Sequence, residues 1–360
     1  MVFTIALMLA VASCFIHPPK LEYINLPVIV SLFNLMIAIK ALEELKLLDK
    51  FAIGILNKCR NSRAVSAILI FLCFFSSMLV TNDVALLTFV PLTVIIGKKA
   101  NIHMMETIIL QTIAANIGSS LTPMGNPQNL FIFSFYGIKP IAFFVTVQFL
   151  ALLGIGLLYF FIKKIPKSNL KVELANIYTL NRKDASIWGL VLTVIIASIF
   201  GLLSYPIALI ITLMAVVVLN RTLLFKIDYL LLVTFICFFI FIGNISNNNV
   251  VQVFASANLK DSSSVYFSSI FLSQFISNVP ASILLANFTT DWKPLIMGVN
   301  IGGLGTIIAS LASVISYKFF IQANPQDGKR YLIKFSLYNV SFLVLLTLVQ
   351  YMIFKMLGIF

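Results

Sequence analysis

The sequence predicts an all-α polytopic membrane protein made of two inverted repeats, each holding a re-entrant helical hairpin and a broken transmembrane helix. Three observations carry this. Of 360 residues, 60% are hydrophobic and only 10% charged, more apolar surface than a soluble domain can bury. Apolar stretches long enough to cross a hydrocarbon core of roughly 30 Å recur along the chain, as at Ile24–Leu45, Ile141–Phe161 and Leu332–Phe354. Two further stretches are interrupted at their middles by asparagine-centred polar groups, Thr81-Asn82-Asp83 and Ser277-Asn278.

In chain order, Val2–Ile16 lacks the basic n-region and small-residue cleavage site of a signal peptide before His17-Pro18-Pro19, and it reads as a membrane helix. Spans are expected to start near residues 2, 24, 104, 140, 186, 205, 228, 294 and 332, nine in all. Ala64–Gly97 is too long for one straight crossing. Folded at Thr81-Asn82-Asp83, each arm of roughly 16 residues rises about 24 Å, so the tip stops inside the membrane. Ser262–Thr290 repeats the pattern, broken at Ser277-Asn278-Val279-Pro280. Short amphipathic segments, Phe51–Cys59 and Val250–Asn258, precede the two hairpins.

The resulting organisation is a first repeat over 1–163 (hairpin 64–97, broken helix 104–136), a cytoplasmic linker over 164–185, and a second repeat over 186–360 (hairpin 262–290, broken helix 294–318). Three matches in order support the repeat. Asn82 aligns with Asn278 at an offset of 196, Asn116-Ile117-Gly118 with Asn300-Ile301-Gly302 at 184, and Ile24-Asn25 with Ile227-Asp228 at 203. The helix near residue 186 has no partner in the first half, which reverses the orientation of the second. Inverted repeats with interrupted helices are the pattern of secondary transporters.

Charge fixes the expected orientation. Lys20, Lys139, Lys260, Lys293 and Lys355 fall on one side, Lys40 lies within a helix, and the other nineteen of the 25 basic residues fall on the side of the N-terminus. The N-terminus is therefore expected in the cytoplasm and the C-terminus outside, in a multi-pass plasma-membrane protein. The net charge of +13 belongs to these connections and implies no nucleic-acid partner. His17 and His103 sit in connections, and Cys14, Cys59, Cys73 and Cys237 lack metal-ligand spacing. No enzyme chemistry, metal centre, cofactor or disulfide is expected.

Candidate chemistry gathers at the interruptions. Asp83 is the one acidic residue in a hairpin tip. A charge there costs on the order of 3 kcal/mol or more in lipid, which marks it as a cation-coupling group, although capping of the second hairpin arm would also explain it. The run NIGSSLTPMGNPQN at Asn116–Asn129 must leave backbone groups free for a ligand. A half-helix N-terminus there carries about half a positive charge towards an anion. Its counterpart, NIGGLGTIIAS at Asn300–Ser310, reads either as a second binding break or as a glycine-rich packing surface.

TNDVALLTFVPL, ANIGSSLTPMGNPQNL and ISNVPASILL resemble the membrane domain shared by arsenite-efflux permeases, citrate permeases and divalent-anion/sodium symporters, over most of the chain. In the divalent-anion symporters each hairpin tip carries Ser-Asn-Thr, which contacts substrate carboxylate and helps to coordinate Na⁺. Thr81-Asn82 and Ser277-Asn278 are similar to its first two positions, while Asp83 and Val279 replace the third. The resemblance implies substrate contacts from Thr81, Asn82, Thr122, Pro123, Gly125, Asn126, Ser277, Asn278 and Thr306. It implies one cation site from Asn82, Asp83, Asn116 and Gly118 and another from Asn278, Asn300, Gly302 and Gly305, with the substrate between. It also implies a homodimer working by an elevator mechanism, with Na⁺ or H⁺ as coupling ion. The expected function is symport of a small organic anion, citrate or a dicarboxylate. Efflux of arsenite or another oxyanion and Na⁺/H⁺ exchange through Asp83 are the alternatives.

Overall fold

The computed structural model describes residues 2–359 except Ile16, Lys58 and residues 170–180. Half of the 164–185 linker thus lies outside the described residues. Seventeen α-helices are present among the described residues. The first half contains α1 (Val2–Cys14), α2 (Leu26–Glu44), α3 (Leu47–Leu56), α4 (Ser62–Val80), α5 (Asn82–Ala100), α6 (Met105–Ser119), α7 (Pro127–Phe135) and α8 (Pro140–Lys163). The second contains α9 (Arg182–Ile199), α10 (Tyr205–Leu219), α11 (Tyr229–Ser246), α12 (Asn249–Asn258), α13 (Ser262–Ile276), α14 (Asn278–Ala286), α15 (Trp292–Gly302), α16 (Leu311–Ala323) and α17 (Gly328–Met356). Five stretches, including α2, α8, α11 and α17, are long and apolar enough to cross a membrane. This is a multi-pass integral membrane protein.

Local sequence sets the ends. Asn25 and Asp228, aligned by the offset of 203, cap α2 and α11 by accepting from Val28 N and Leu231 N, which satisfies an amide that lipid cannot. Asn61 caps α4 through Ala64 N, and Asn101, at φ 51°, closes α5. The first hairpin therefore has arms of 19 residues each, about 28 Å, longer than 64–97 allows. The second is shorter than 262–290: its arms have 15 and 9 residues, and α14 ends at Ala286. The second broken helix runs on to Ala323, past the expected 318. The amphipathic segment before the first hairpin lies earlier than Phe51–Cys59, at Leu47–Leu56.

Packing repeats between the halves. α4 packs on α5 and α6 as α13 packs on α14 and α15, and α5 packs on α16 as α14 packs on α7. These eight helices form the centre, flanked by α8 and α17. Outside them the halves exchange partners. α1 of the first half packs on α11 of the second, and α10 of the second packs on α2 of the first. The 3-10 turns Leu21–Tyr23 and Arg221–Phe225 follow the same exchange onto α11 and α2. α9 packs beside α2 and α10.

Candidate functional site at the hairpin tips

Each tip turns at a single residue. Thr81 sits at φ 74°, ψ 152° and Ser277 at φ 74°, ψ 154°, a conformation that costs a non-glycine residue roughly 1–3 kcal/mol. Matching bonds hold both tips. Asn82 N donates to Gly125 O (3.1 Å) and Asn278 N to Ala309 O (3.0 Å). Behind them the Thr122 hydroxyl donates to Met78 O, and the Thr306 hydroxyl to Gln274 O. Gly125 pairs with Ala309 and Thr122 with Thr306 at the offset of 184, and Met78 pairs with Gln274 at 196. Each tip is thus pinned to the break of its own half.

The two breaks are joined by side-chain amides. Asn82 Nδ2 donates to Asn116 Oδ1 (3.0 Å), which also accepts from the Ser310 hydroxyl (3.0 Å) across the halves. In the mirror position Asn126 Nδ2 donates to Asn300 Oδ1 (3.1 Å), and Asn300 Nδ2 to Asn129 Oδ1 (2.7 Å). Asn129 closes the first break by donating to Ser120 O and Thr122 O, both at 3.1 Å. All these asparagines are buried, so the hydrogen bonds replace the water that the interrupted helices would otherwise need. Asn278 is the exception, because its Nδ2 finds no hydrogen-bond partner among the described residues.

Open space lies beside the first tip. α2 packs on α7 and α11 on α14, but on the side of α5 and α16 a cavity of about 230 Å³ separates them from α2 and α11. Thr81, Asp83 and Asn126 face it from the tip and break, and Lys40, Glu43 and Asp228 from α2 and the cap of α11. Lys40 pairs with Glu43 at 3.1 Å. Lys226, also at the rim, pairs with Glu44 at 2.6 Å. The Asp83 carboxylate accepts no hydrogen bond among the described residues, and Asp228 lines the same cavity. The α5 and α7 N-termini, at Asn82 and Pro127, adjoin the same space and contribute partial positive charge.

The expected site residues therefore divide. Thr81, Asp83 and Asn126 line the cavity, whereas Asn82, Asn116 and Asn300 belong to the amide network. Thr122, Gly125 and Thr306 hold tips to breaks, and the Ser277 hydroxyl bonds Ala309 O (3.2 Å). Pro123 is buried within the first break. Asp83 does not cap the second arm; Asn82 Oδ1 accepts the Asp83 N–H instead (3.0 Å).

Gly118 and Gly302 have packing roles: a Cβ on Gly118 would stand 2.1 Å from Phe74 O, and one on Gly302 2.7 Å from Ser273. Gly305 sits at φ 101°, where a side chain would strain the turn. The amide network joins the two breaks, between which the resemblance puts the substrate. Lys40, Glu43 and Asp228 were not singled out as site residues from sequence, although Lys40 was already the one basic residue inside an expected span.

A buried polar junction of two broken helices, beside a charged cavity in an all-helical membrane protein, is the arrangement expected of a secondary transporter. The sequence profile of the family described as "Citrate transporter" matches residues 1–294, and the chain belongs to that family. An uncharacterised transporter of Methanocaldococcus jannaschii is 36% identical over 88% of this chain and 87% of its own. The inner membrane protein YbiR of Escherichia coli is 27% identical over 90% and 86%. The putative transporter arsB of Dictyostelium discoideum is 28% identical over 39% of this chain and 25% of its own. Among solved structures, the Alcanivorax borkumensis YdaH transporter, described as having an unusual topology, superposes with a TM-score of 0.63 at 15% identity, over 93% of this chain and 85% of that one. That likeness is one of fold.

Proposed function

We propose that the chain carries a small organic anion, citrate or a dicarboxylate, across the plasma membrane in symport with Na⁺ or H⁺. The observation that carries this reading is the cavity beside the first tip, where Thr81, Asp83 and Asn126 meet Lys40 and Asp228 across the seam between the central helices and α2 and α11. In this proposal the central helices move as an elevator against α2 and α11, and the two halves are inverted repeats with re-entrant tips. Asp83 is the coupling carboxylate, because it is an unpartnered acid at the seam. The Asn82–Asn116 pair holds the tip in register. In this reading the N-terminus lies in the cytoplasm and the C-terminus outside, an orientation supported by the excess of basic residues in the connections on the N-terminal side. The working unit is a homodimer.

The resemblance of the tip and break motifs to arsenite-efflux permeases supports a second reading, efflux of arsenite or another oxyanion, and Asp83 would equally serve Na⁺/H⁺ exchange. Reconstitution separates these. Purified protein in liposomes is expected to take up labelled citrate or succinate only with an imposed Na⁺ or H⁺ gradient, and Asn82→Ala and Asp83→Asn are expected to abolish that uptake. Uptake of neither anion under either gradient would reject the symport reading and leave arsenite efflux and cation exchange.

A further inference from the structure

The cavity beside the first tip has a partial counterpart along α11, between it and the far end of α14. Tyr23, Asn25, Phe239, Ile242 and Gly243 line a space of about 210 Å³. At the offset of 203 they stand where Lys226, Asp228, Met36, Ile39 and Lys40 line the first. The backbone plan is shared and the charge is not. Gly243 occupies the place of Lys40, and the Tyr23 ring packs against it so closely that a Cβ there would come within 2.3 Å. Among the described residues lining the second cavity, Glu22 is the only charged one. The fold thus builds this helix without a lysine in one half. Lys40 in the other half bears the cost of a cation in a membrane helix.

Resting on the transport reading above, we infer that Lys40 is the cationic group that receives a carboxylate of the transported anion, releasing Glu43 to do so. The Lys40 ammonium has three donors, its side chain is 31% exposed, and its ion-pair partner is Glu43, one turn away on the same helix. The pair is local to one helix and open to the cavity, so a carboxylate with comparable geometry can take the place of Glu43. Across the cavity the N-termini of α5 and α7 offer a second positive end. A polycarboxylate is therefore met from both sides, by Lys40 on α2 and by the tip and break on the central helices. Asp83 and Asp228 face the same space and repel an anion until a cation neutralises them, which makes binding ordered, with the cation first. Lys40 acts here as a specificity residue for multiply charged anions.

The experiment measures equilibrium binding of labelled citrate, succinate and inorganic phosphate to the purified full chain, in parallel with gradient-driven uptake. Lys40→Gln is expected to weaken Kd for the bound anion by about tenfold or more, the loss of a charge-assisted hydrogen bond. Lys40→Arg is expected to stay within about threefold of wild type, since the charge is kept. Glu43→Gln is expected to tighten binding by freeing the ammonium. If the pair were merely structural, Lys40→Gln and Glu43→Gln would shift Kd in the same direction, and that result overturns the inference. So does an unchanged Kd in Lys40→Gln, or the absence of binding of all three anions to wild type. Should Lys40→Gln fail to fold, Glu43→Gln decides by the sign of its shift. A Lys40-dependent Kd without uptake would uphold Lys40 and reject symport, whereas uptake with a Lys40-independent Kd would uphold symport and reject Lys40.

Discussion

The two hairpin tips share a backbone and differ in chemistry. Thr81 and Ser277 adopt the same left-handed turn, and their neighbours Asn82 and Asn278 bond the corresponding carbonyls of Gly125 and Ala309. Around this shared frame the cavity beside the first tip is lined by Asp83, Asp228 and Lys40, whereas Val279 stands at the place of Asp83, Asn25 at that of Asp228 and Gly243 at that of Lys40. Backbone pinning is a property of the fold, and so it appears twice. Charge in a membrane is expensive and appears only where something is bound. The difference between the halves therefore locates the chemistry better than their similarity does.

Substitutions at paired positions sharpen that comparison. The largest effect is expected at the glycines that let α4 meet α6 and α13 meet α15. A Cβ on Gly118 meets the immovable carbonyl of Phe74, whereas one on Gly302 meets the Ser273 side chain. Gly118→Ala should cost about 3 kcal/mol and Gly302→Ala about 1 kcal/mol. Thermal unfolding in detergent reads the order, and equal losses would mean that the halves pack alike. Next come the cross-half bonds. Asn126→Ala removes donors to Asn300 and Ser119 and the cap on Asn129 N, at about 2–3 kcal/mol, against about 1 kcal/mol for Ser310→Ala, which removes one bond to Asn116.

The helix caps are weaker still. Asn25→Ala and Asp228→Ala should each lose about 1 kcal/mol. Asp228→Asn keeps the cap and should unfold within about 0.5 kcal/mol of wild type, while changing the cation dependence of uptake. Unchanged cation dependence would remove Asp228 from the site.

The smallest expected effect concerns pH. Asp261 caps α13, and the Ser264 hydroxyl and N–H hold its carboxyl below the ordinary value of 3.8. A carboxyl lowered in the folded state stabilises above its unfolded value and loses that contribution as pH falls through the lower folded value. The corresponding cap of α4 is Asn61, which does not titrate. Amide exchange in the first turn of α13 should therefore accelerate below pH 3.8 while that of α4 does not. Equal acceleration in both turns would place the acid sensitivity elsewhere.

Much of this architecture is legible in the sequence because its cause is local. Pro123, Gly125 and Pro127, spaced two apart, cannot all sit in a continuous helix, so the break declares itself. The offsets of 196 and 184 survive because the residues they align make the bonds that pin the tips. The exchange of α1 and α10 between halves is not legible: both helices are apolar on all sides, and nothing in such a pattern selects a partner. Hairpin lengths were misjudged because the helix stops at Asn61 and Asn101 lie outside the apolar stretch that marks the hairpin. Asn126 and Asn300 were recognisable as polar groups in broken helices, but their pairing across the halves depends on tertiary placement. Lys40 was visible as a cation within an expected span, yet only the cavity shows what it faces.

The central claim is that coupling chemistry resides at the first tip and not in the shared backbone. The most direct measurement replaces Asp83 with the residue found at the second tip, Val, and follows labelled citrate uptake into liposomes as the imposed cation gradient is varied. Asp83→Val protein that folds as wild type but no longer accumulates citrate in response to the gradient is the predicted result. Gradient-driven accumulation equal to wild type in Asp83→Val would contradict it.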